Sequence, residues 1–303
     1  MKKVIVFGGL GFLGSHTAKH LKKLGFNVSI FDFNKTNDSN SDQNIIRGDI
    51  NDINSVDKAI KGQDIVYHFA AIADISEAKE NPIRTANFNI IGTLNILESC
   101  VKHKIERFIF SSSIYVYSDH GSFYRTTKQA CELFIQNYSN EFSLDFTILR
   151  YGSIYGLNAN KFNFISSAIK EALTTGQINR KGSGDESRDY INVTDAAKLS
   201  CEIISKKYIN KFIMITGSQT RKVKEVLSMI KEMFGNKIKI NYLKNKSYDA
   251  HYTLTPYSFK PQVAQKLIPN EFQDLGQGIL SCIHYEYSEL VKKGVNIKNI
   301  YDE

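Results

Sequence analysis

The stretch KVIVFGGLGFLG, residues 3–14, places a short apolar run directly before Gly8, Gly11 and Gly14. Such a run is typical of a buried strand, and the residues after it favour a helix from about position 12. Glycines at this spacing let backbone N–H groups approach a pyrophosphate at the helix N-terminus. The alternative is a glycine-rich turn that holds no ligand. The candidate dinucleotide contacts are therefore Gly8, Gly11, Phe12, Leu13 and Gly14.

The second apolar run ends at Asp32, 18 residues after Gly14. An acid at the tip of this strand accepts hydrogen bonds from ribose hydroxyls and would repel a 2′-phosphate. Because no arginine sits beside Asp32, the pattern favours NAD over NADP. The next candidate contact is the turn Gly48-Asp49-Ile50, whose alternative interpretation is a turn leading into the N-cap of a helix.

Short apolar runs alternate with helical patterns over the first half of the chain. The predicted strands are Lys3–Phe7, Asn27–Phe33, Asn44–Arg47, Asp64–Phe69, Arg107–Ser111 and Phe146–Arg150, and the predicted helices are 12–24, 52–61, 81–103 and 124–140. This alternation predicts an α/β fold, a Rossmann doubly wound parallel sheet over residues 1–156. Residues 157–303 are less regular and predict a smaller α/β part that could return elements to the first. Its predicted helices are 161–174, 194–206, 220–234 and 271–291, and its predicted strands are 212–216 and 237–240.

The 303-residue chain carries a formal net charge of +8. Its lysines are scattered rather than clustered on a helix face with aromatic residues, so no nucleic-acid partner is expected. The apolar runs are too short for a signal-peptide core or a bilayer span, so no membrane partner is expected. The cysteines, Cys100, Cys131, Cys201 and Cys282, form no Cys-x-x-Cys pair. Buried thiols in a reducing cytoplasm, without a metal site, are the expectation.

Tyr124 and Lys128 lie four residues apart in a helical pattern, so their side chains share one helix face. A free tyrosine has a pKa of about 10. A nearby ammonium favours the phenolate, and the lysine together with a cationic cofactor is expected to lower that pKa. The pair, with Ser113 just upstream, therefore predicts a general base that removes a hydroxyl proton. Tyr-x-x-x-Lys also arises by chance in exposed helices, so its meaning depends on the surrounding motifs.

A longer series of motifs accompanies these residues in a fixed order. It comprises Gly8-x-x-Gly11-x-x-Gly14, Asp32, Gly48-Asp49-Ile50, His68-Phe69-Ala70-Ala71, Asn89-Ile90-Ile91-Gly92-Thr93, Ser111-Ser112-Ser113, Tyr124-x-x-x-Lys128, Leu149-Arg150-Tyr151-Gly152-Ser153 and Arg188-Asp189-Tyr190. With this series, the chain resembles the extended short-chain dehydrogenase/reductase family. The resemblance is closest to its NAD-dependent nucleotide-sugar epimerases and dehydratases, of the UDP-glucose 4-epimerase-like type, and covers nearly the whole chain.

The resemblance implies a role for each matching residue of the first part. Tyr124 would be the base, and Lys128 would hold the nicotinamide ribose and lower the Tyr124 pKa. Ser113 would hydrogen-bond the reacting sugar oxygen and share its proton with Tyr124. The other implied cofactor contacts are Asp49, Ile50, Phe69, Ala70, Ala71, Asn89 and Tyr151.

The resemblance also implies that residues 157–303 mainly bind a nucleotide-diphosphate sugar. Arg188 would pair with its diphosphate, although pairing with Asp189 or Asp195 is the alternative. Ser153 stands where many members carry an asparagine that touches the substrate. His68 follows an apolar run, and a satisfied core histidine is the expectation there.

The implied reaction is proton removal from the C4 hydroxyl of the sugar, with hydride transfer from C4 to NAD. Return of the hydride to the other face of the 4-keto sugar makes a 4-epimerase, whereas release of the keto sugar makes a 4-dehydrogenase. A reductase of 4-keto nucleotide sugars and a non-catalytic NAD-binding regulatory protein are the alternatives. The joint presence of Ser113, Tyr124 and Lys128 favours an enzyme.

The chain departs from the family pattern in several places. Ile114 and Tyr115 stand where 4,6-dehydratases carry an Asp-Glu pair, so dehydratase activity is not expected. Ser113 and Tyr124 are only 11 positions apart, where relatives often insert a longer loop over the sugar. Segment 251–257 lacks an arginine often found there, for which Lys260 could substitute. A more open sugar pocket is the resulting hypothesis.

Two of the predicted helices bear on the oligomeric state. Relatives use the helices that correspond to 81–103 and 124–140 for a four-helix dimer contact, so a homodimer is expected. The alternative is that the apolar faces of these helices only cover the sheet.

Overall fold

The computed structural model describes residues 1–34, 44–218, 220–243, 264–268 and 271–298. Its strands are β1 (Lys3–Phe7), β2 (Asn27–Asp32), β3 (Asn44–Arg47), β4 (Ile65–His68), β5 (Arg107–Ser113), β6 (Phe146–Tyr151), β7 (Ser153–Tyr155), β8 (Gln177–Lys181), β9 (Ser187–Asn192), β10 (Lys211–Ile215), β11 (Thr220–Lys222), β12 (Lys239–Leu243) and β13 (Gln265–Lys266). Its α-helices are α1 (Phe12–Lys23), α2 (Ile53–Ile60), α3 (Ile75–Glu80), α4 (Pro82–Ala86), α5 (Gly92–Lys102), α6 (Ser122–Phe142), α7 (Phe164–Thr175), α8 (Val193–Glu202), α9 (Val223–Met233) and α10 (Leu275–Lys292). A π-helix spans Asn87–Ile91, and 3-10 helices span Ile114–Tyr117 and Lys206–Tyr208. Residues 35–43, and segment 251–257 with Lys260, lie outside the described residues.

The chain divides into two compact units. The first holds the described residues of 1–151, 196–215 and 256–267. The second holds those of 152–195, 216–255 and 268–303. The first unit therefore includes two segments from the second half of the chain. The roles predicted for 1–156 and 157–303 stay predictions.

An eight-stranded parallel sheet forms the centre of the first unit, in the order β13-β10-β6-β5-β4-β1-β2-β3. β1 lies between β2 and β4, and its residues 4–7 are fully buried. A strand that is apolar at every position suits a parallel sheet covered on both faces. The strand order reverses beside β1, which is where ligands bind at the carboxyl ends of such sheets. This arrangement confirms the predicted Rossmann fold.

One predicted helix of the first unit is wrong in its form. The pattern at 81–103 predicted one continuous helix, whereas the structure contains α4, the π-helix Asn87–Ile91 and α5. A π-helix widens the turn by one residue, and here it carries the buried Asn89. Sequence analysis also missed α3 and, in the second half, β7, β8, β9, β11 and β13.

Residues on one face of α6 fix how this helix meets the sheet. Lys128, Cys131 and Ile135 are buried and follow the three- and four-residue spacing of one helix face. Cys131 and Ile135 belong to the main core cluster with Phe108 and Phe110 of β5. The packing therefore directs the face that holds Lys128 toward β5.

The second unit has its own sheets and core. A three-stranded sheet has the order β11-β9-β7, and β12 pairs with β8 in parallel. Helices α7, α9 and α10 supply most of a separate apolar cluster that includes Ile169, Leu227 and Ile283. This unit is the smaller α/β part that the sequence predicted.

Candidate active site

Gly8 and Gly14 lie where backbone segments approach most closely. Gly8 has a φ of +74°, and a Cβ placed on it would lie 2.6 Å from the backbone nitrogen of Ala70. A Cβ on Gly14 would lie 2.2 Å from the carbonyl oxygen of Gly8. Side chains at these positions would therefore separate β1, α1 and the residues after β4. The two glycines bring these three segments together at the carboxyl edge of the sheet.

The first turn of α1 presents backbone N–H groups beside this junction. Gly11 is the N-cap and offers no side chain to accept from them, and the first turn carries no acidic residue. Phe12 and Leu13 are the first two helical residues. Free N–H groups at the positive end of a helix dipole suit a phosphate. The glycine cradle and the helix start together fit a dinucleotide pyrophosphate.

Asp32 ends β2 beside the glycine turn. Its Oδ2 accepts a hydrogen bond from the Leu10 N–H at 3.0 Å, and its Oδ1 accepts one from the Asn34 N–H at 3.0 Å. Arg47 pairs opposite Asp32 in the β2–β3 register, and its Nε donates to the Phe33 carbonyl at 3.3 Å. The expectation that no arginine sits beside Asp32 is true along the chain and wrong in space, because β3 pairs with β2.

Asp49 lines a cleft of about 730 Å³ in the first unit. Phe33, Asn51, Asn87 and Phe88 are among the other lining residues. The N-cap of α2 is Asp52, which accepts from the Asn54 N–H at 3.0 Å. Asp49 forms the turn into this N-cap, as in the alternative interpretation, because its Oδ1 accepts from the Asn51 N–H at 2.9 Å and its carbonyl accepts from the Asp52 N–H at 3.0 Å. The cofactor contact predicted for Asp49 stays a prediction.

Ile50 differs from Asp49 because its side chain belongs to the core. It is 2% exposed, and it fills the space that a Cβ on Gly92 would enter, 2.5 Å from the Ile50 Cδ1. Its carbonyl accepts from the Asn95 side chain at 2.9 Å. The cofactor contact predicted for Ile50 stays a prediction.

The residues after β4 form the other wall of the glycine junction. Phe69 stacks on Tyr67 at 5.9 Å between ring centroids and lies 6.5 Å from the Tyr151 ring. Tyr151 is buried, and its hydroxyl lies 2.5 Å from the Ser200 Oγ. Ala70 meets Gly8, and Ala71 follows it in the chain. The cofactor contacts predicted for these residues stay predictions.

Asn89 joins the residues after β4 to the helix that carries the candidate base. Its Oδ1 accepts from the Ile72 N–H at 2.8 Å, and its Nδ2 donates to the Ile72 carbonyl at 3.1 Å and to the Thr127 Oγ1 at 3.0 Å. Both Nδ2 protons are therefore used inside the protein. The structure gives the Asn89 side chain a scaffolding role that sequence analysis, which predicted a cofactor contact, did not identify.

Ser113, Tyr124 and Lys128 meet where β5 ends and α6 begins. The Ser113 hydroxyl hydrogen-bonds to the Tyr124 phenol, and its Oγ also accepts from the Tyr115 N–H at 3.3 Å. The Lys128 Nζ donates to the Ser111 carbonyl at 2.7 Å and lies 5.8 Å from the centroid of the Tyr124 ring. The structure thus brings the three predicted residues together.

The electrostatics of this group differ from the sequence-based prediction. Burial raises the pKa of Tyr124 to about 12, and the hydrogen bond from Ser113 opposes that rise. Burial lowers the pKa of Lys128 to about 8. The lowered tyrosine pKa was predicted from the lysine together with a cationic cofactor; in the protein chain by itself, loss of hydration shifts the Tyr124 pKa in the opposite direction.

A buried ion pair lies one helical turn beyond Lys128 and was not foreseen. Glu132 accepts from the Arg150 Nε at 2.9 Å and Nη2 at 2.6 Å, and from the Ser112 hydroxyl at 2.6 Å. Both charged side chains are fully buried. The pair joins α6, β5 and β6. Glu132 follows Lys128 by four residues, and this spacing was the available signal.

Two of the predicted substrate residues, Ser153 and Arg188, belong to the second unit. Ser153 starts β7 and pairs in register with Tyr190 of β9, two residues after Arg188. Arg188 is 7% exposed, and its Nη1 donates to the Ser187 carbonyl at 2.9 Å. Asp189 accepts from the Thr220 hydroxyl, and Asp195 accepts from the Gln273 N–H. The substrate contacts of Ser153 and Arg188 stay predictions.

His68 is a core residue, as predicted, but it is only half satisfied. Its Nε2 lies 3.0 Å from the Thr93 Oγ1, while its Nδ1 has no hydrogen-bond partner within the described ranges. Burial holds the His68 pKa well below its ordinary value, so the ring is neutral at pH 7. All four cysteines are buried with free thiols, as expected.

Metal sites and membrane spans leave recognisable patterns in side chains and helices. Among the described residues, no group of three or more His, Cys, Asp or Glu side chains could hold a metal ion. In the same residues, no helix is both long and apolar enough to cross a membrane.

Comparison with known proteins places these observations in a family. The model of the NAD dependent epimerase/dehydratase family matches residues 4–212. A putative UDP-glucose 4-epimerase of Methanocaldococcus jannaschii is 29% identical over 253 residues, which cover 77% of this chain and 82% of the relative. A UDP-glucose 4-epimerase of Rhizobium leguminosarum bv. trifolii is 28% identical over 82% of this chain and 87% of its own.

Solved structures show the same fold. The UDP-glucose 4-epimerase of Thermotoga maritima, solved with UDP-glucose, superposes with a TM-score of 0.83 at 22% identity, over 95% of this chain and 99% of its own. The UDP-glucose 4-epimerase of Thermus thermophilus, solved with NAD, has a TM-score of 0.79 at 21% identity, over 94% and 99%. At these identities the likeness concerns the fold.

Proposed function

Because this chain belongs to the NAD dependent epimerase/dehydratase family, we propose that it is an NAD-dependent enzyme that oxidises C4 of a nucleotide-diphosphate sugar. The observation that carries the proposal is the cluster of Ser113, Tyr124 and Lys128 at the end of β5 and the start of α6. Among the reactions open to this cluster, 4-epimerisation is favoured because several similar relatives are named UDP-glucose 4-epimerases. A 4-dehydrogenase differs only in releasing the 4-keto sugar.

The residues around the glycine junction are proposed to hold the cofactor. Gly8, Gly11 and Gly14, with the N–H groups of Phe12 and Leu13, bind the pyrophosphate, and Asp32 accepts from the adenosine ribose. Asp49 contacts the adenine in the cleft that it lines. NAD, when bound, supplies the acceptor for the hydride that leaves C4.

The protein side of the reaction is proton transfer. Tyr124 takes the proton of the C4 hydroxyl while Ser113, hydrogen-bonded to Tyr124, holds the same oxygen. Since burial raises the Tyr124 pKa to about 12, the phenolate needs positive charge that the buried Lys128 alone does not provide. Lys128 also holds the nicotinamide ribose. Arg188, within residues 157–303, binds the diphosphate, and Ser153 contacts the sugar.

Incubation with UDP-glucose and UDP-galactose tests this proposal, with the NADH band and product stereochemistry as readouts. An inverted sugar without net NADH indicates the epimerase, and NADH with a keto product indicates the dehydrogenase. NADH consumption with a 4-keto sugar indicates the reductase. A protein that binds NAD but converts neither these sugars nor GDP-, CDP- and dTDP-sugars is the regulatory alternative.

The base is tested by a matched pair of variants on α6. Tyr124→Phe removes the proton acceptor, and turnover is expected to fall by at least about 100-fold while NAD binding persists. Tyr138→Phe changes a tyrosine of the same helix that hydrogen-bonds to Glu98, and it should keep turnover. Full activity in Tyr124→Phe would refute the assigned base.

A homodimer is also proposed, through the outer faces of α5 and α6. Leu133, Phe134 and Phe142 of α6 are exposed, as is Ile91 just before α5. Exposed large apolar groups on adjacent helices favour association with a second copy.

A further inference from the structure

The segment between Ser113 and Tyr124, residues 114–123, is short and is fastened to α6 by two side chains. We call it the catalytic connection because it runs from the candidate serine to the candidate base. The Arg125 Nη1 donates to the Ser118 carbonyl at 2.7 Å, and the Gln129 Nε2 donates to the Val116 carbonyl at 2.9 Å. Arg125 and Gln129 are four residues apart, so they project from one face of α6. Both therefore hold the same stretch of backbone.

The backbone of the connection allows little freedom near the helix start. Gly121 has a φ of +97°, and a Cβ there would lie 2.7 Å from the Tyr115 ring and 3.1 Å from the Arg125 Cβ. Ser122 follows with a φ of +49°. Gly121 adopts this φ without strain, whereas a left-handed Ser122 is costly unless surrounding contacts impose it. The Arg125 N–H donates to the Gly121 carbonyl at 3.1 Å, and its side chain holds the chain three residues before this bend.

The connection also carries groups that touch the base. The Tyr115 ring meets the Tyr124 ring edge-on at 6.4 Å between centroids, and the Tyr115 N–H donates to the Ser113 Oγ. A shift of Val116 or Ser118 would therefore move Ser113 relative to Tyr124. From this geometry we propose that Arg125 and Gln129 are positioning residues that keep the Ser113 hydroxyl in hydrogen-bonding register with the Tyr124 phenol.

This inference rests on the proposed function only for its consequence in catalysis. The hydrogen bond from Ser113 favours the Tyr124 phenolate, so loosening the connection makes the phenolate harder to form. The other polar or charged groups near Tyr124 are Lys128 and Arg125 on α6, Tyr115 on the 3-10 helix, and Asp119 and His120 in the connection. Asp119 is fully exposed and only 3.6 Å from the Arg125 Nη1, so solvent screens that pair.

The test compares Arg125→Met and Gln129→Ala with the wild-type protein, all loaded with NAD. The first readout is the pH profile of single-turnover NAD reduction by UDP-glucose. The second is ionisation of Tyr124, followed as tyrosinate absorbance against a Tyr124→Phe blank, which needs no substrate. In both variants, the rising limb of the pH–rate profile and the pKa of Tyr124 ionisation are expected to move upward by about 0.5 to 1 pH unit. On the rising limb this equals a roughly 3- to 10-fold slower reaction at fixed pH, with the KM little changed.

Two control variants, together with Gln129→Ala itself, separate positioning from charge and from stability. Arg125→Lys keeps a donor and the charge and should restore the wild-type profile. Gln129→Ala removes no charge, so its shift cannot come from a lost cation. Gln136→Ala changes a glutamine of the same helix that donates to the Glu132 carbonyl, and it should leave both readouts unchanged.

The outcomes distinguish this inference from the proposed function. If no nucleotide sugar reduces NAD, the proposed function fails, while the tyrosinate titration still decides the role of Arg125 and Gln129. If Arg125→Met does not fold, Gln129→Ala and Arg125→Lys carry the comparison. Native-like Arg125→Met and Gln129→Ala proteins whose Tyr124 ionises at the wild-type pH would overturn the inference.

Discussion

At Gly14, the first turn of α1 passes so close to β1 that even a methyl group has no room. A Cβ there would lie 2.2 Å from the Gly8 carbonyl oxygen, against 3.1 Å for a Cβ on Gly11. We expect Gly14→Ala to lower the free energy of unfolding by about 1–3 kcal/mol and Gly11→Ala to lower it much less. Urea denaturation without NAD measures this difference. Equal losses in the two variants would contradict the role of the close approach.

Burial of the Lys128 ammonium lowers the free energy of unfolding of the protein. Its pKa is about 8 in the folded protein because it is buried, against about 10.4 in an unfolded chain. The unfolded state therefore binds more protons between these values, and stability rises with pH across that window. Lys128→Met removes the buried charge. It should raise the free energy of unfolding by about 1–3 kcal/mol below pH 8, with the gain fading by about pH 10.4.

Denaturation of Lys128→Met from pH 6 to pH 11 checks this expectation, with exposed Lys61 as the matched position. Lys61→Met should leave stability nearly unchanged throughout. A Lys128→Met protein that is less stable than the wild type at pH 7 would show that the bond to the Ser111 carbonyl outweighs the loss of hydration.

At the scale of single residues, the sequence identified the residues of the site by type and spacing. It did not reveal the direction of their pKa shifts or all of their neighbours in space. Ser113, Tyr124 and Lys128 meet as predicted because helix periodicity and the end of β5 place them. The direction of the Tyr124 pKa depends on burial, which spacing does not reveal. Arg47 reaches the neighbourhood of Asp32 only through the pairing of β3 with β2.

Among the elements, the π-helix Asn87–Ile91 ties two parts of the site together through Asn89. Asn89→Leu would remove three hydrogen bonds and leave the Ile72 N–H and carbonyl unpaired. We expect a loss of about 2–4 kcal/mol in the free energy of unfolding and faster hydrogen exchange of the Ile72 amide. Asn95→Ala removes one bond, to the Ile50 carbonyl, and serves as control with a loss near about 1 kcal/mol. Unchanged exchange at Ile72 in Asn89→Leu would contradict this role.

Element prediction succeeded where apolar periodicity was strong and failed where side chains reshape the backbone. β1 and β3 begin and end at the predicted residues, and α1 ends one residue early. The break at 87–91 escaped detection because the apolar pattern continues through it while a buried amide alters the turn. The short strands of the second unit, such as β7 and β11 with three residues each, are too brief for a periodic signal.

For the whole molecule, the proposed homodimer gives the clearest test. Phe134→Glu places a charge on the exposed apolar face of α6 and should give a monomeric mass at micromolar protein, measured by light scattering. Leu24→Glu, at a residue that is 55% exposed on the C-terminal side of α1, is the control and should keep the wild-type mass. A wild-type monomer under these conditions would reject the dimer.

The division of the chain was predictable only in part. The alternation of strands and helices predicted a Rossmann sheet up to about residue 156. The return of elements from residues 157–303 to the first part was considered in general, but the pattern near 212–216 did not identify β10 as one of them, because the residues of a strand do not specify its pairing partner. In the structure, β10 pairs with β6 and β13 pairs with β10, so both strands belong to the sheet of the first unit.

That pairing has a consequence for how the protein is made. β6 pairs with β10 over five residues, and β10 pairs in turn with β13, so the ribosome must pass residue 266 before the sheet is complete. Until then the emerging chain displays the apolar edge of β6 without its neighbour, and such an edge invites pairing with other chains. A gene fragment that ends after residue 156 encodes only this incomplete sheet. Its product is expected to aggregate rather than to fold into a domain that binds the cofactor.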